Sequence, residues 1–104
     1  MLDIAKSFGK KLQKIRKSKR ITQEQLAEKL DLDVGYISKL EVGRNFPTIG
    51  TLEKIANALD VELYELFRYT NIKSEDFKDE LIKIYDNRSK DKQLTLYRVA
   101  KAME

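Results

Sequence analysis

Thr22-Gln23-Glu24-Gln25-Leu26-Ala27-Glu28-Lys29-Leu30-Asp31-Leu32-Asp33-Val34-Gly35-Tyr36-Ile37-Ser38-Lys39-Leu40-Glu41-Val42-Gly43 is the stretch that decides the fold. Thr22 is a natural N-cap, and Gln25 three residues later completes a capping box, in which each side chain satisfies the other residue's free backbone N–H. A helix therefore starts here, with Leu26, Ala27 and Leu30 on its apolar face. It must be short, because Asp31-Leu32-Asp33 brings two residues that favour caps and turns over helix interiors. Asp33 caps a second helix carrying Tyr36, Ile37 and Leu40, which ends near Glu41 or Val42 before Gly43, a natural left-handed terminator. Two short helices joined by so brief a turn form a helix-turn-helix unit. They cross closely, so a small side chain is wanted at Ala27, while Leu32 plugs the turn and Ile37 and Leu40 anchor the second helix to a core.

Outward from this unit the sequence stays helical. Ile4, Phe8, Leu12 and Ile15 recur at helical spacing and predict a first helix from about Ile4 to Ser18, its lysines largely on the opposite face. Downstream, Arg44-Asn45-Phe46-Pro47 reads as a loop, since the residue before a proline is pushed away from helical geometry. Thr48 caps a fourth helix with Leu52, Ile55, Ala56 and Leu59 as its buried stripe. Asp60 is then read as the cap of a short fifth helix with Leu63, Leu66 and Phe67. Few runs alternate at period two, so the fold class is all-α.

Beyond Thr70, two more helices are expected on either side of a break at Asn87-Arg88-Ser89-Lys90-Asp91. The chain divides into a helix-turn-helix unit at 1–69 and a helical pair at 70–104. The five-helix unit closes a core without that pair, so its apolar arc needs a partner surface. Phe77, Leu81, Ile84, Tyr85, Leu94, Tyr97 and Met103 are the candidates for a homodimer interface; packing of the same residues on the chain's own fifth helix is the other possibility.

Composition narrows the function classes. The chain has 104 residues, 41% hydrophobic and 37% charged, and neither Cys nor His. A thiol nucleophile, an imidazole base, a disulfide framework and a zinc site of the common N/S kind are thereby excluded. Nothing among the remaining polar residues is spaced as a catalytic motif, so the protein is read as no enzyme and as requiring no cofactor or metal. No run approaches the roughly 18 apolar residues that a membrane span needs, and no secretion segment opens the sequence, which predicts a cytoplasmic protein without a membrane partner. The net charge of +4 is modest, but Lys6, Lys10, Lys11, Lys14, Arg16, Lys17, Lys19 and Arg20 crowd the first segment against the single acid Asp3. Such a cluster suits a polyanion, or simply a solvated helix face.

Thr22-Gln23-Glu24-Gln25-Leu26-Ala27, then Tyr36-Ile37-Ser38-Lys39-Leu40-Glu41 and Gly43-Arg44, together resemble the Xre/Cro/C1 family of helix-turn-helix repressors. Pro47 and the stretches Thr51 to Ala56 and Ala58 to Val61 extend the resemblance over roughly residues 8 to 68. It implies a five-helix, lambda-repressor-like domain and a homodimeric regulator binding double-stranded DNA at a near-palindromic operator. By the same resemblance, Gln23, Arg44 and Asn45 contact phosphate, joined by Lys19 from the basic cluster, while Val34, Gly35, Tyr36, Ser38 and Lys39 face the bases. Positions 34 and 35 are commonly polar in similar proteins. With Val34 and Gly35 there, hydrogen-bonded readout concentrates on Lys39, with Tyr36 and Ser38 assisting; Val34 suits a thymine methyl and Gly35 a close approach. Glu41 would repel phosphate and is assigned an intramolecular basic partner, and Asp33 is chiefly a cap. An alternative is an antitoxin-type module, in which a regulatory protein partner docks on the C-terminal helices.

Overall fold

The computed structural model describes residues 4–67, together with the single positions Asp79, Leu94, Arg98 and Lys101. Within residues 4–67 four α-helices follow one another: α1 (Ile4–Ser18), α2 (Gln23–Leu30), α3 (Val34–Glu41) and α4 (Ile49–Leu59). A short 3-10 helix, Leu63–Phe67, closes the unit. No strand occurs among the described residues.

The starts of α2, α3 and α4 are set by local chemistry. Thr22 and Gln25 form the capping box, with Thr22 Oγ1 accepting from the Gln25 amide at 3.0 Å and Gln25 Oε1 accepting from the Thr22 amide at 2.9 Å. Asp33 Oδ1 accepts from the Gly35 amide at 2.8 Å, and Thr48 Oγ1 from the Thr51 amide at 3.2 Å.

The ends share one device, which the residue type advertises only at Gly43. Arg20, Asp31, Gly43 and Asp60 all adopt positive φ, between 55° and 81°. After each of them the next residue's amide reaches back five residues: Ile21 to Arg16, Leu32 to Ala27, Arg44 to Lys39 and Val61 to Ala56, at 2.9 to 3.2 Å. This is the Schellman arrangement, which satisfies carbonyls left over at a helix end. Asp60 therefore terminates α4 rather than capping a following helix, and the fifth element is five residues of 3-10 helix rather than an α-helix. The expected count of five holds only if that turn is included.

The core lies between α1, the helix-turn-helix pair, α4 and the 3-10 helix. Phe8, Leu12, Leu26, Ile37, Leu40, Leu52, Ile55, Leu59, Leu66 and Phe67 are fully buried. α1 packs on α3 and on the 3-10 helix, while α2 packs on α3 and α4. The predicted stripe of α1 is all buried. Phe8 stacks obliquely on Phe46 and Phe67, with ring centroids 5.3 and 5.6 Å apart, which ties the loop after α3 to the core.

Two glycines make these contacts possible. A Cβ on Gly9 would lie 2.4 Å from the Leu40 carbonyl oxygen and 2.6 Å from that of Glu41, so α1 rests directly on the last turn of α3. Gly43, at φ +81°, lies under Lys6, where a Cβ would come within 2.9 Å of the Lys6 Cα.

Candidate nucleic-acid interface

α2, the Asp31-Leu32-Asp33 turn and α3 form the candidate site. Ala27, Ile37 and Leu40 are buried as the close crossing requires. Leu32 does not plug the turn: it is 36% exposed, and the turn is closed instead by the left-handed Asp31 and the Leu32 amide bonded to the Ala27 carbonyl at 2.9 Å. Backbone geometry supplies what the apolar side chain was expected to supply.

With Ile37 and Leu40 turned inward, the opposite face of α3 is left to solvent. Val34 is 39% exposed, and Gly35 and Lys39 are exposed beside it. Ser38 is half-buried. Tyr36 is half-buried too and packs against the core; burial raises its phenol pKa above the ordinary 10.0. The proton stays on at neutral pH, leaving a hydroxyl able to donate or accept. Arg44 and Asn45 lie exposed in the loop after α3, and Lys19 is exposed at the end of α1, just before the α2 cap.

A polar relay joins these helices. Arg16 Nε and Nη2 donate to the Glu41 carboxylate at 2.6 and 3.0 Å, and Arg16 Nη1 donates to the Ile21 carbonyl at 2.7 Å. Gln23 Nε2 donates to Glu41 Oε1 at 2.9 Å, and the Ser38 hydroxyl donates to Gln23 Oε1 at 2.9 Å. Glu41 thus has the intramolecular basic partner expected of it. Gln23 and Ser38, assigned to phosphate and base respectively, are in direct contact with each other.

Arg16 is the residue that sequence reasoning misplaced. It was grouped with the basic cluster, yet it is 6% exposed, and hydrogen bonding to Glu41 raises its pKa against the opposing effect of burial. The signal was present in the spacing. Phe8, Leu12 and Arg16 are four apart, so a cation sits on the apolar stripe and requires a buried acid. Among the candidate interface residues, Leu94 is the one described position, and it is exposed. Phe77, Leu81, Ile84, Tyr85, Tyr97 and Met103 lie outside the described residues.

Among the described residues no cluster of acids could hold a metal ion, and no helix is long and apolar enough to cross a membrane.

Comparison with known proteins agrees with this geometry. Residues 12–66 match the family model described as helix-turn-helix. Control protein C.MunI of a Mycoplasma species is 44% identical over 68 residues, which cover 64% of this chain and 92% of that protein. The immunity repressor protein of Bacillus phage phi105 is 39% identical over 57 residues, covering 55% of this chain and 40% of the repressor. In three dimensions, the restriction-modification controller protein C.AhdI from Aeromonas hydrophila superposes with a TM-score of 0.59 at 36% identity, over 61% of this chain and 96% of that one. A capped α2, a turn closed by Asp31, an anchored α3 and this run of relatives agree: the chain belongs to the Xre/Cro/C1-type helix-turn-helix family of DNA-binding transcriptional regulators.

Proposed function

We propose that the chain is a sequence-specific regulator of transcription, a repressor that binds a near-palindromic operator in double-stranded DNA as a homodimer. The observation that carries the reading is the division of α3: Ile37 and Leu40 are fully buried while Val34, Gly35 and Lys39 are left exposed. A helix held by one face and bare on the other fits the major groove, which is wide enough for one α-helix. Lys39 suits the O6 and N7 acceptors of guanine, and Val34 a thymine methyl. Gln23 at the start of α2, Arg44 and Asn45 after α3, and Lys19 before α2 are the phosphate contacts, which set register without reading sequence. The control proteins and the phage repressor among its relatives support a regulatory role of the same kind.

Dimerisation is assigned to 70–104. The match to C.MunI covers 92% of that protein but only 64% of this chain, so about a third of this chain is additional to it. Leu94, 47% exposed in the single chain, supports an apolar contact there. Two-fold symmetry would set the two copies of α3 about 34 Å apart, one turn of DNA.

Selection of bound DNA from a random pool tests operator, half-site spacing and symmetry together. Binding to the recovered site should weaken steeply with salt. Lys39→Ala should lose discrimination at one position per half-site by about 1–3 kcal/mol, whereas Lys19→Ala should weaken all sequences alike. Equal losses of discrimination would sink the assigned readout. Sedimentation of the full chain against a chain ending at Tyr69 tests the dimer; two monomers at micromolar concentration would refute it.

A further inference from the structure

Hydrogen-bond polarity runs in one direction through the relay beneath α3. Arg16 has donors only, so the Glu41 carboxylate that receives it is confined to accepting. Glu41 Oε1 also receives Gln23, and only the amide NH2 of Gln23 can face a carboxylate. A reversed amide would set oxygen against oxygen at 2.9 Å. The Gln23 carbonyl is therefore aimed away from Glu41, at Ser38, and the Ser38 hydroxyl must give it the one proton it has. Two lone pairs remain on Ser38 Oγ, beside the exposed Val34 and Gly35 one turn earlier on the helix.

We infer that the buried Arg16–Glu41 pair, acting through Gln23, makes Ser38 an acceptor-only reader that selects a base with a major-groove amine, adenine or cytosine. A serine hydroxyl otherwise pairs with either kind of base edge. Here its proton is committed, so the O6 and N7 of guanine and the O4 of thymine meet lone pairs, while adenine N6 and cytosine N4 meet a partner. Arg16 and Glu41 are positioning residues in this scheme and touch no DNA. The inference rests on the operator-binding reading and specifies one of its contacts.

Selection from a random pool by the full chain, by Ser38→Ala and by Gln23→Ala tests it. The wild type should recover one position per half-site at which adenine or cytosine is favoured about fivefold, the worth of one neutral hydrogen bond. Ser38→Ala should flatten that position and keep the others. Purine in place of adenine, or 2-pyrimidinone in place of cytosine, should cost the wild type the same factor and Ser38→Ala nothing. Gln23→Ala frees the hydroxyl and should admit guanine or thymine at that position, an effect that loss of a phosphate contact alone would not produce. If Ser38→Ala keeps every preference, or flattens a position that favours guanine or thymine, the inference is overturned while the operator reading stands. A wild type that enriches no motif would overturn both.

Discussion

The two ends of α3 are built in opposite ways. At its C-terminal end Leu40 and Glu41 are buried, Arg16 grips the carboxylate, and α1 lies so close that Gly9 admits no side chain. At its N-terminal end Val34 and Gly35 are exposed, and a single side-chain cap from Asp33 holds the first turn. The helix is fixed by the buried Leu40 and Glu41, while Lys39 beside them is exposed like Val34 and Gly35. Packing places no demand on the side chains at the free end, so their identity can answer to a ligand. Substitutions of the buried Leu40 and Glu41 should accordingly act on stability, and those of the exposed Val34, Gly35 and Lys39 on binding.

The largest effect belongs to the fixed end. Glu41→Ala leaves the Arg16 guanidinium buried without its counter-charge, and removing one member of such a pair costs about 3–5 kcal/mol. Against a total stability of about 5–15 kcal/mol for a small domain, the midpoint of urea unfolding should fall sharply. Replacing both members by apolar residues, Arg16→Met with Glu41→Leu, should recover much of that loss. The doubly substituted chain would fold yet leave Gln23 unanchored, so its DNA affinity should stay reduced. A Glu41→Ala chain as stable as the wild type would break the contrast between the two ends.

How far this arrangement was legible depends on how local its causes are. Thr22, Asp33 and Thr48 announce helix starts because an N-cap works within three residues of its own position. The left-handed terminator was legible at Gly43, where the residue type matches that backbone, and not at Arg20 or Asp60, which adopt the same conformation at a steric cost. Asp60 was especially ambiguous, since an aspartate serves at either side of a helix boundary. The exposed face of α3 was visible as the complement of Ile37 and Leu40. The relay was not, because Arg16 and Glu41 are 25 residues apart and only the crossing of α1 over α3 brings them together.

Two of the three helical glycines, Gly9 and Gly35, sharpen the contrast at a smaller scale. Gly9→Ala places a methyl 2.4 Å from backbone oxygen, which cannot swing aside as a flexible side chain can. The overpacking cost of about 1–3 kcal/mol exceeds the gain in helix propensity, at most about 1 kcal/mol. Gly35→Ala meets only the Asp33 carboxylate, at 3.3 Å, so the propensity gain of about 0.5 kcal/mol should survive. The same substitution should therefore destabilise at one end of the molecule's key contact and mildly stabilise at the other, as measured by paired denaturation curves. Gly35→Ala should also weaken operator binding if the duplex approaches the backbone there, a loss that Gly9→Ala would show only in proportion to unfolding. Shifts of the same sign in stability would mean that both ends are packed alike.

Tyr36 stands between the two ends, and its titration gives the smallest and most local test. Its ring packs on the core while the residue is half-exposed, and burial holds the phenol pKa above 10.0. In the unfolded chain the phenol ionises near 10. Below that pH both states keep the proton and the residue adds no pH dependence. As pH rises above it the unfolded chain releases the proton while the folded chain retains it, so stability falls until the raised folded pKa is passed. The useful quantity is the difference between wild type and Tyr36→Phe, which isolates this one phenol. Measured as urea midpoints from about pH 9 to 11, the wild type should lose ground to Tyr36→Phe as pH rises. A constant difference would place the phenol fully in solvent and assign Tyr36 to the free, reading end of α3. A falling one keeps it in the anchored part, where its ring serves the core and only its hydroxyl is available to a base.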